Sequence, residues 1–344
     1  MRMADERILI IHTWGLGDLI LLTPVLEAIF AIHPDIRFDF VIFQKASAEP
    51  IYCAAYTGKI FFSSWNLKDI FSVIRRLRKT RYSASLITSG VTAWKGSIFL
   101  RMLNTDIIIG DFSGIPLPYY TRKLRFKPDI SRTEANYNLF RTFMDLPEYH
   151  HIVQKDLFKP AFHLSGDDLS YAEAYLNENF DRNRLIVAIH PGSNIKFKYR
   201  RWDKDNFVAL ISSLKQEYPL WQFLIIAGPD EEEEGNYIAL HTGEKYLEKT
   251  PLGKIAAIIS KCNIMINTDS GLGHIASCFG LRIFTIFGPG DERQTAPFLN
   301  NAIVIRDKFP CAPCVNKPVR KCAAECLKSV TPARVFEVIK DHMS

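Results

Sequence analysis

Residues 267–290 read NTDSGLGHIASCFGLRIFTIFGPG, and the apolar run 264–266 comes directly before them. The order is a short apolar strand, a glycine-containing turn, a helix-length stretch closed by Gly280, a second apolar run and a Gly-Pro-Gly turn. This order is the repeating unit of a parallel α/β sheet. Ligands of such sheets bind at the carboxyl ends of the strands. The turns 267–274 and 288–290 therefore predict a ligand site.

The first of these turns has the chemistry of a nucleotide diphosphate site. The backbone N–H groups of Ser270, Gly271 and Leu272 would lie at a helix start, which favours an anion. Asp269 can accept hydrogen bonds from ribose hydroxyls, and His274 lies one turn into the helix, where it can face the same ligand. The alternative is structural, with Asp269 and Ser270 as a helix cap and His274 as a hydrogen-bonded core histidine.

Length and composition predict a globular protein of two domains. The chain has 344 residues, 47% of them hydrophobic, which is enough to form two cores. We predict an amino-terminal domain at 1–165, with a linker to about residue 183. A second domain at 184–328 and a last helix at 329–344 complete the chain. Both domains are predicted to be α/β.

Cations concentrate in the segments 68–81 and 122–132 of a chain whose net charge is +6. Such patches fit an acidic partner, namely a phosphorylated substrate, an anionic membrane surface or nucleic acid, and the alternative is a solvated helix face. Residues 8–32 are apolar-rich, but Asp18 and Glu27 interrupt them. They therefore predict a strand, a loop and a helix rather than a membrane span, and we expect a cytoplasmic protein without a signal peptide.

A second polar turn, Gly15-Leu16-Gly17-Asp18, follows the strand predicted at 7–12. A carboxylate at this position can act as general base on a hydroxyl nucleophile. A helix start lowers the basicity of Asp18, and the alternative role is a plain helix cap. Gly-x-Gly without a third spaced glycine is a weak dinucleotide signal.

A third polar loop begins at His190-Pro191-Gly192-Ser193, after another apolar strand. Its backbone and Ser193 can meet a phosphate, and cations that include Lys196 and Arg200 follow closely. Cations of this kind stabilise the charge that develops on a diphosphate leaving group. The alternative is a solvated basic loop.

Four cysteines, Cys311, Cys314, Cys322 and Cys326, form the pattern Cys-x2-Cys-x7-Cys-x3-Cys. Four thiolates at this spacing can enclose a tetrahedral zinc or iron ion. The spacing is tighter than in common zinc ribbons, and the alternative is a set of reduced, partly buried thiols.

These motifs together resemble glycosyltransferase family 9, the ADP-heptose:lipopolysaccharide heptosyltransferases. The matching residues occur in the family's order: Gly15-Leu16-Gly17-Asp18 with Leu22-Thr23-Pro24, His190-Pro191-Gly192-Ser193, Arg201-Trp202, Asn267-Thr268-Asp269-Ser270-Gly271 with His274, and Phe287-Gly288-Pro289. The resemblance implies a GT-B fold, in which two Rossmann-like α/β/α domains face each other across a cleft. The acceptor would bind the amino-terminal domain and the nucleotide-sugar the carboxy-terminal one, and the last helix would pack back on the first domain.

The same resemblance assigns roles to individual residues. Asp18 matches the family's proposed catalytic base, beside the glycines Gly15 and Gly17 of the acceptor turn. The donor-binding motif is matched by Asp269, Ser270, Gly271, Leu272 and His274. We also expect the donor to contact Gly288 of the later turn, Ser193 and Lys196. Arg200 stands where the family commonly has a lysine, so the charge is kept while its geometry changes. A subgroup that glycosylates proteins binds iron at a cysteine cluster.

The resemblance predicts an inverting transfer of heptose from ADP-heptose to an acidic acceptor in the lipopolysaccharide inner core. It implies no cofactor for catalysis and no nucleic acid partner, and it implies peripheral contact with the inner face of the cytoplasmic membrane. Three alternatives stay open: a protein acceptor with a metal-bound cysteine cluster, another GT-B enzyme such as a nucleotide-sugar epimerase, and a metal-binding scaffold without enzymatic activity.

Overall fold

The computed structural model describes residues 7–88, 100–112, 120–125, 127, 129–154, 158–298, 302–314 and 324–343. The chain divides into two compact units, Met1–His163 (unit 1) and Leu164–Ser344 (unit 2). Each unit contains one parallel six-stranded sheet with helices. The α/β fold class predicted from the sequence is therefore confirmed. The predicted domain boundaries stay a prediction.

The sheet of unit 1 has the strand order β3-β2-β1-β4-β5-β6. Its strands are β1 Arg7–His12, β2 Arg37–Ile42, β3 Thr57–Phe62, β4 Tyr82–Ile87, β5 Thr105–Phe112 and β6 Arg122–Arg125. The central strand β1 reads RILIIH and is buried from its second residue onward. A nearly continuous apolar run is expected where helices cover both faces of a parallel sheet. In the register, Ile10 pairs with Phe40 on one side and with Leu86 on the other.

The helices of unit 1 follow the sequence signals closely. They are α1 Leu16–Ile20, α2 Thr23–Ile32, a 3₁₀ helix at Lys45–Ile51, α3 Leu67–Leu77, α4 Arg132–Arg141 and α5 Tyr149–Ile152. Pro24 stands in the first turn of α2, where the missing N–H breaks no helical hydrogen bond. Asn66 caps α3 and Ser131 caps α4 through side-chain oxygens.

The sheet of unit 2 has the strand order β12-β11-β10-β7-β8-β9. Its strands are β7 Ile186–His190, β8 Gln222–Ile226, β9 Lys245–Leu247, β10 Ile264–Thr268, β11 Arg282–Ile286 and β12 Ala302–Ile305. The chain builds from β7 outward through β8 to β9 and then returns to β10 on the other side of β7. The direction in which successive strands are added to the sheet thus reverses between β7 and β10.

The helices of unit 2 surround this sheet. They are α6 Gly166–Asn179, a 3₁₀ helix at Ile195–Arg200, α7 Lys204–Glu217, α8 Glu232–Thr242, α9 Leu252–Ile259, α10 Gly271–Ser277, α11 Glu292–Thr295, α12 Glu325–Lys328 and α13 Pro332–Met343. Ser165 and Asp168 form a complete capping box at the start of α6. Gly243 ends α8 with a positive φ of 71°, a conformation that favours glycine.

The last helix, α13, contributes to the core of unit 2. Val335 and Ile339 are fully buried in the same cluster as Leu210 and Leu214 of α7. The indole Nε1 of Trp202 donates to the carbonyl of Val330, just before the helix, at 2.7 Å. These described contacts lie within unit 2. The predicted packing of residues 329–344 on the amino-terminal domain stays a prediction.

The structure also contains strands that the sequence did not predict. One of them is β6, which lies in the basic segment 122–132. The short strands β9 and β12 were missed as well, because three or four residues give no clear period. Among the described residues, no helix combines the length and apolar character that crossing a membrane requires.

Candidate active site

The sequence-predicted donor residues converge where the strand order of unit 2 reverses. The loop 191–194 follows β7, Asp269 and Ser270 follow β10, and the turn 287–290 follows β11. Thr268 Oγ1 donates to the carbonyl of Gly192 at 2.6 Å, which joins the first two loops. The crevice at such a switch point is where open α/β sheets bind ligands. Ser193, Asp269, Ser270 and Gly288 therefore lie on the edge predicted for the ligand.

An ion pair lies at the centre of this edge. Arg200 Nη1 donates to Asp269 Oδ2 at 2.9 Å, and the guanidinium carbon of Arg200 lies 4.5 Å from the centroid of the Phe197 ring. The Asp269 side chain is 7% exposed and that of Arg200 is 27% exposed. The sequence proposed these two residues for different parts of a nucleotide, Asp269 for the ribose and Arg200 for the diphosphate. The structure brings them into direct contact.

Two buried donors beside this pair have no protein acceptor in the described part of the chain. They are the hydroxyl of Ser270 and the Nε–H of Arg200. Most buried polar groups in proteins are hydrogen-bonded, so such exceptions call for an explanation. An anionic oxygen of a ligand would satisfy both donors. The side chain of Lys196, the other cation predicted here, lies outside the described residues.

Glycine at position 290 permits the close packing of this site. A Cβ atom there would lie 2.5 Å from Asp269 Oδ2, which is closer than real Cβ contacts. At Gly273 a Cβ atom would meet the Asn267 amide nitrogen at 2.3 Å. His274, in the helix that follows, is buried, and its carbonyl accepts from Ser277 Oγ at 2.7 Å. The turns 288–290 and 267–274 are therefore packed against each other through small residues.

Gly288 and Ser193 have structural contacts that the sequence did not reveal. A Cβ atom at Gly288 would lie 2.9 Å from Leu327 Cβ. Ser193 Oγ donates to the carbonyl of Phe197 at 3.0 Å, within its own loop. The Ser193 carbonyl in turn accepts from Arg201 Nε at 3.1 Å and from Arg201 Nη2 at 2.7 Å. The proposed phosphate contact of Ser193 stays a prediction.

Arg201 and Glu231 are buried side chains that support the loop after β7. The Arg201 side chain is 7% exposed, and its Nη1 donates to Glu234 Oε1 at 2.8 Å. Glu231 is buried, which raises the pKa of its carboxyl group, and it accepts from the Gly228 backbone N–H at 2.8 Å. The role of Arg201 is thus to position the loop, whereas Arg200, its neighbour in sequence, faces Asp269.

His190 also supports this loop and is held neutral. Burial lowers its pKa from 6.5 to about 4. Its Nδ1–H donates to the carbonyl of Ile226 at 2.8 Å, across β7 and β8. A neutral histidine with this bond joins the two strands and adds no positive charge to the site.

The candidate base, Asp18, lies in the first turn of α1 in unit 1. Its Oδ1 lies 3.0 Å from Arg132 Nη1, with side chains 25% and 17% exposed. The Arg132 guanidinium carbon lies 4.9 Å from the ring centroid of Trp14. The sequence placed Arg132 only within a basic patch, because nothing in the local pattern shows its pairing with a distant aspartate.

The glycines of this turn have backbone roles. The Gly15 carbonyl accepts from His12 Nε2 at 3.1 Å, and the Gly17 carbonyl accepts from the Leu21 N–H at 2.9 Å. A Cβ atom at Gly15 would meet only Gln44 Oε1, at 3.9 Å. Burial lowers the pKa of His12, and the negative charge of Asp18 opposes this effect. His12 therefore shapes the turn as a neutral side chain.

Residues 70–325 match the family described as glycosyltransferase family 9 (heptosyltransferase). The chain belongs to this family. Lipooligosaccharide heptosyltransferase 2 of Campylobacter jejuni is 23% identical to it over 336 residues, which cover 95% of this chain and 96% of that protein. The predicted family is thereby confirmed, and the chain is a glycosyltransferase.

Two solved structures show the same fold as this family 9 chain. The glycosyl transferase family 9 protein from Veillonella parvula has a TM-score of 0.80 at 16% identity, and the match covers 99% of this chain and 98% of that chain. Escherichia coli ADP-heptose lipopolysaccharide heptosyltransferase II has a TM-score of 0.77 at 18% identity, with coverage of 97% and 98%. The GT-B fold predicted from the sequence is confirmed.

The structure describes three of the four cysteines of the predicted metal site. In the part of the chain that it describes, no group of three or more His, Cys, Asp or Glu residues is arranged to hold a metal ion. Cys311 and Cys314 are half-buried, and Cys326 is buried. Cys322 lies outside the described residues. The described residues alone form no zinc or iron site, so the four-cysteine site stays a prediction, and the mechanism below uses no metal.

Proposed function

We propose that this family 9 enzyme transfers a heptose from ADP-heptose to a hydroxyl group of the lipopolysaccharide inner core, with inversion at the anomeric carbon. The observation that carries the proposal is the Arg200–Asp269 pair, with the unsatisfied donors Arg200 Nε and Ser270 Oγ beside it. The names of the relatives, which specify heptosyl transfer, lipooligosaccharide and ADP-heptose, supply the sugar and the acceptor class.

The donor site would work mainly through charge. Arg200 can keep Nη1 on Asp269 while its Nε–H donates to a diphosphate oxygen, because a guanidinium has five N–H donors. Ser270 Oγ and the N–H groups at the start of α10 add further donors. Hydrogen bonds to charged oxygens in a water-poor site stabilise the charge that builds on ADP as it leaves.

The base would be Asp18. Its Oδ1 pairs with Arg132, so the second oxygen, Oδ2, can take the proton of the acceptor hydroxyl. The acceptor oxygen then attacks the anomeric carbon, a new glycosidic bond forms, and the bond to the diphosphate breaks with its electron pair on ADP. A single displacement from the opposite face inverts the anomeric centre. Arg132 orients the carboxylate through this ion pair.

The place of reaction would be the inner face of the cytoplasmic membrane, where the enzyme binds peripherally. The excess of cations in 68–81 and 122–132 supports an acidic, phosphorylated acceptor at a negatively charged surface. The family match does not favour the epimerase or the scaffold alternative. The protein-acceptor alternative depends on a metal-bound four-cysteine cluster, which stays a prediction.

The donor assignment is tested by calorimetric titration of the full chain with ADP, UDP and NAD separately. We expect selective ADP binding that Asp269→Ala weakens strongly, while Asp167→Asn, an acid on α6, leaves it unchanged. Preferential binding of UDP would contradict the ADP-heptose proposal. If none of the three bound, the location of the donor site would be wrong.

The catalytic assignment needs a transfer assay with ADP-heptose and an inner-core acceptor that lacks heptose. Asp18→Asn should lower the rate of transfer at least about a hundredfold, because general-base catalysis contributes a factor of about 10²–10⁴ to the rate. The same variant should bind ADP as the wild type does. Undiminished transfer by Asp18→Asn would exclude this residue as the base.

A further inference from the structure

Large apolar side chains are exposed together at the beginning of α3. Leu67 is 71% exposed, Phe71 is 57% exposed and Trp65 is 50% exposed. Leu67 and Phe71 are four residues apart on the helix and so lie on one face. The adjoining side of α3 packs into unit 1 through Val73, Ile74 and Leu77, which are buried. The exposed face is therefore not needed to hold the helix on its unit.

Cations flank these apolar side chains. Arg75 and Arg78 continue the stripe of Phe71 along α3, and both are exposed. From residue 65 to residue 79 the sequence has five cations and one acid, Asp69. That carboxylate accepts from Ser64 Oγ at 2.6 Å and from Asn66 Nδ2 at 2.9 Å, so it is engaged in the helix cap. The surface formed by Trp65, Leu67, Lys68, Phe71, Arg75 and Arg78 is called the α3 surface below.

The chemistry of the α3 surface selects one class of partner. A second copy of the chain would bring the same cations face to face, which is repulsive. Nucleic acid would neutralise the cations but would leave Leu67 exposed. An anionic bilayer offers both environments at once, because its phosphates meet Arg and Lys while its interface accepts Trp, Phe and Leu. We propose that the α3 surface binds the face of an anionic lipid bilayer.

The α3 surface lies at the functional edge of the unit 1 sheet. Phe43 follows the carboxyl end of β2, and its ring stacks on Trp65 with the centroids 4.3 Å apart. Asp18 follows the carboxyl end of β1, the neighbouring strand. A bilayer on the α3 surface would therefore hold a lipid-anchored acceptor close to the edge that carries Asp18. The proposal deepens the peripheral membrane binding of the proposed function by naming the surface that makes the contact, and its link to the acceptor rests on that function.

The test is co-sedimentation of the full chain with phosphatidylcholine vesicles that contain or lack phosphatidylglycerol, and that contain no saccharide. The chain should bind the anionic vesicles, with affinity that falls as salt is raised, and not the zwitterionic ones. The double variant Leu67→Ser/Phe71→Ser should bind at least about tenfold more weakly. Trp65 fluorescence should shift to the blue on binding, and Trp65→Phe should remove most of this shift.

The matched control is Leu240→Ser on α8 of unit 2, where the leucine is 80% exposed. It should bind anionic vesicles as the wild type does. No vesicle binding, or equal binding by the double serine variant, would overturn the proposal. So would concentration-dependent self-association that the double variant abolishes, because it would make a second copy the partner. ADP titration of the double variant separates this outcome from a failure of the donor site.

Discussion

Gly290→Ala tests whether Asp269 must keep its observed position for donor binding. The new Cβ atom would lie 2.5 Å from Asp269 Oδ2 and 3.2 Å from Phe287 Cε1. The same carboxylate oxygen accepts from Arg200 Nη1 at 2.9 Å. Since the aromatic ring blocks another direction, the carboxylate has to turn away or the turn 288–290 has to shift. Either change disturbs the Arg200–Asp269 ion pair, although the substitution removes no charged side chain from the protein.

The expected loss of ADP affinity follows from the free energy that the Arg200–Asp269 hydrogen bond contributes. A hydrogen bond to a charged group contributes about 1.5–3 kcal/mol net. If it is lost from the donor-binding arrangement, the dissociation constant for ADP should rise about 10- to 100-fold. Overpacking adds a stability cost of about 1–3 kcal/mol. For a unit of this size that lowers the melting temperature by about 2–4 °C per kcal/mol. The variant should therefore be folded and bind ADP poorly.

The assay is calorimetric titration with ADP, together with thermal unfolding of the same samples. Gly166→Ala is the matched control, because a Cβ atom there has no other heavy atom within 4 Å. It should change neither the ADP affinity nor the fold. If Gly290→Ala were folded and bound ADP within about twofold of the wild type, corresponding to less than about 0.5 kcal/mol, Asp269 would not be positioned for the donor as we infer.

Three further measurements address other contacts. Because His190 has a folded pKa of about 4 and an ordinary value of 6.5, the unfolded chain binds its proton first as pH falls, so stability is lost on acidification. Urea titrations should show that the free energy of unfolding falls between pH 7 and pH 5. We expect this fall to be about 2 kcal/mol smaller in His190→Asn than in the wild type. Arg132→Gln should slow transfer at least about tenfold, because Asp18 loses its ion-pair partner, and it should leave the ADP affinity unchanged. A transfer rate equal to that of the wild type would contradict the role of Arg132 in orienting Asp18. Gly58→Ala places a Cβ atom 2.2 Å from Asp39 Oδ1. It should cost about 1–3 kcal/mol in thermal unfolding, and an unchanged melting temperature would refute that estimate.

The main elements of the fold were predictable because they have strong local signals. The strand–turn–helix–strand unit at 264–290 was expected from its apolar runs and glycines, and β10, α10 and β11 fall within it. Strand β1 was predicted with its observed bounds, Arg7–His12. The edge strand β6 reads RKLR and has no apolar run, so its strand conformation depends on pairing with β5 rather than on its own pattern.

The candidate site was predictable as a set of loops but not as a set of contacts. Parallel-sheet topology places the loops after β7, β10 and β11 on one edge, so Ser193 and Asp269 could be assigned to one site. The sequence cannot show which cation faces which acid. Arg200 and Arg201 are neighbours, yet one pairs with Asp269 and the other donates to the Ser193 carbonyl. Arg200 is the last residue of the 3₁₀ helix Ile195–Arg200 and Arg201 follows it, so no local pattern in the sequence shows that the two side chains have different partners.

The arginine at position 200 is consistent with the contacts around it. A lysine ammonium is a point charge, so a lysine that pairs with Asp269 would turn the same atom toward the carboxylate and the diphosphate. Arginine separates the two tasks, because Nη1 donates to Asp269 while Nε is buried without a protein acceptor. The planar guanidinium also packs against the Phe197 ring, which restricts its orientation before any ligand binds. A cation fixed in this way loses less side-chain entropy when a diphosphate arrives, and the preorganised charge can then act on the leaving group.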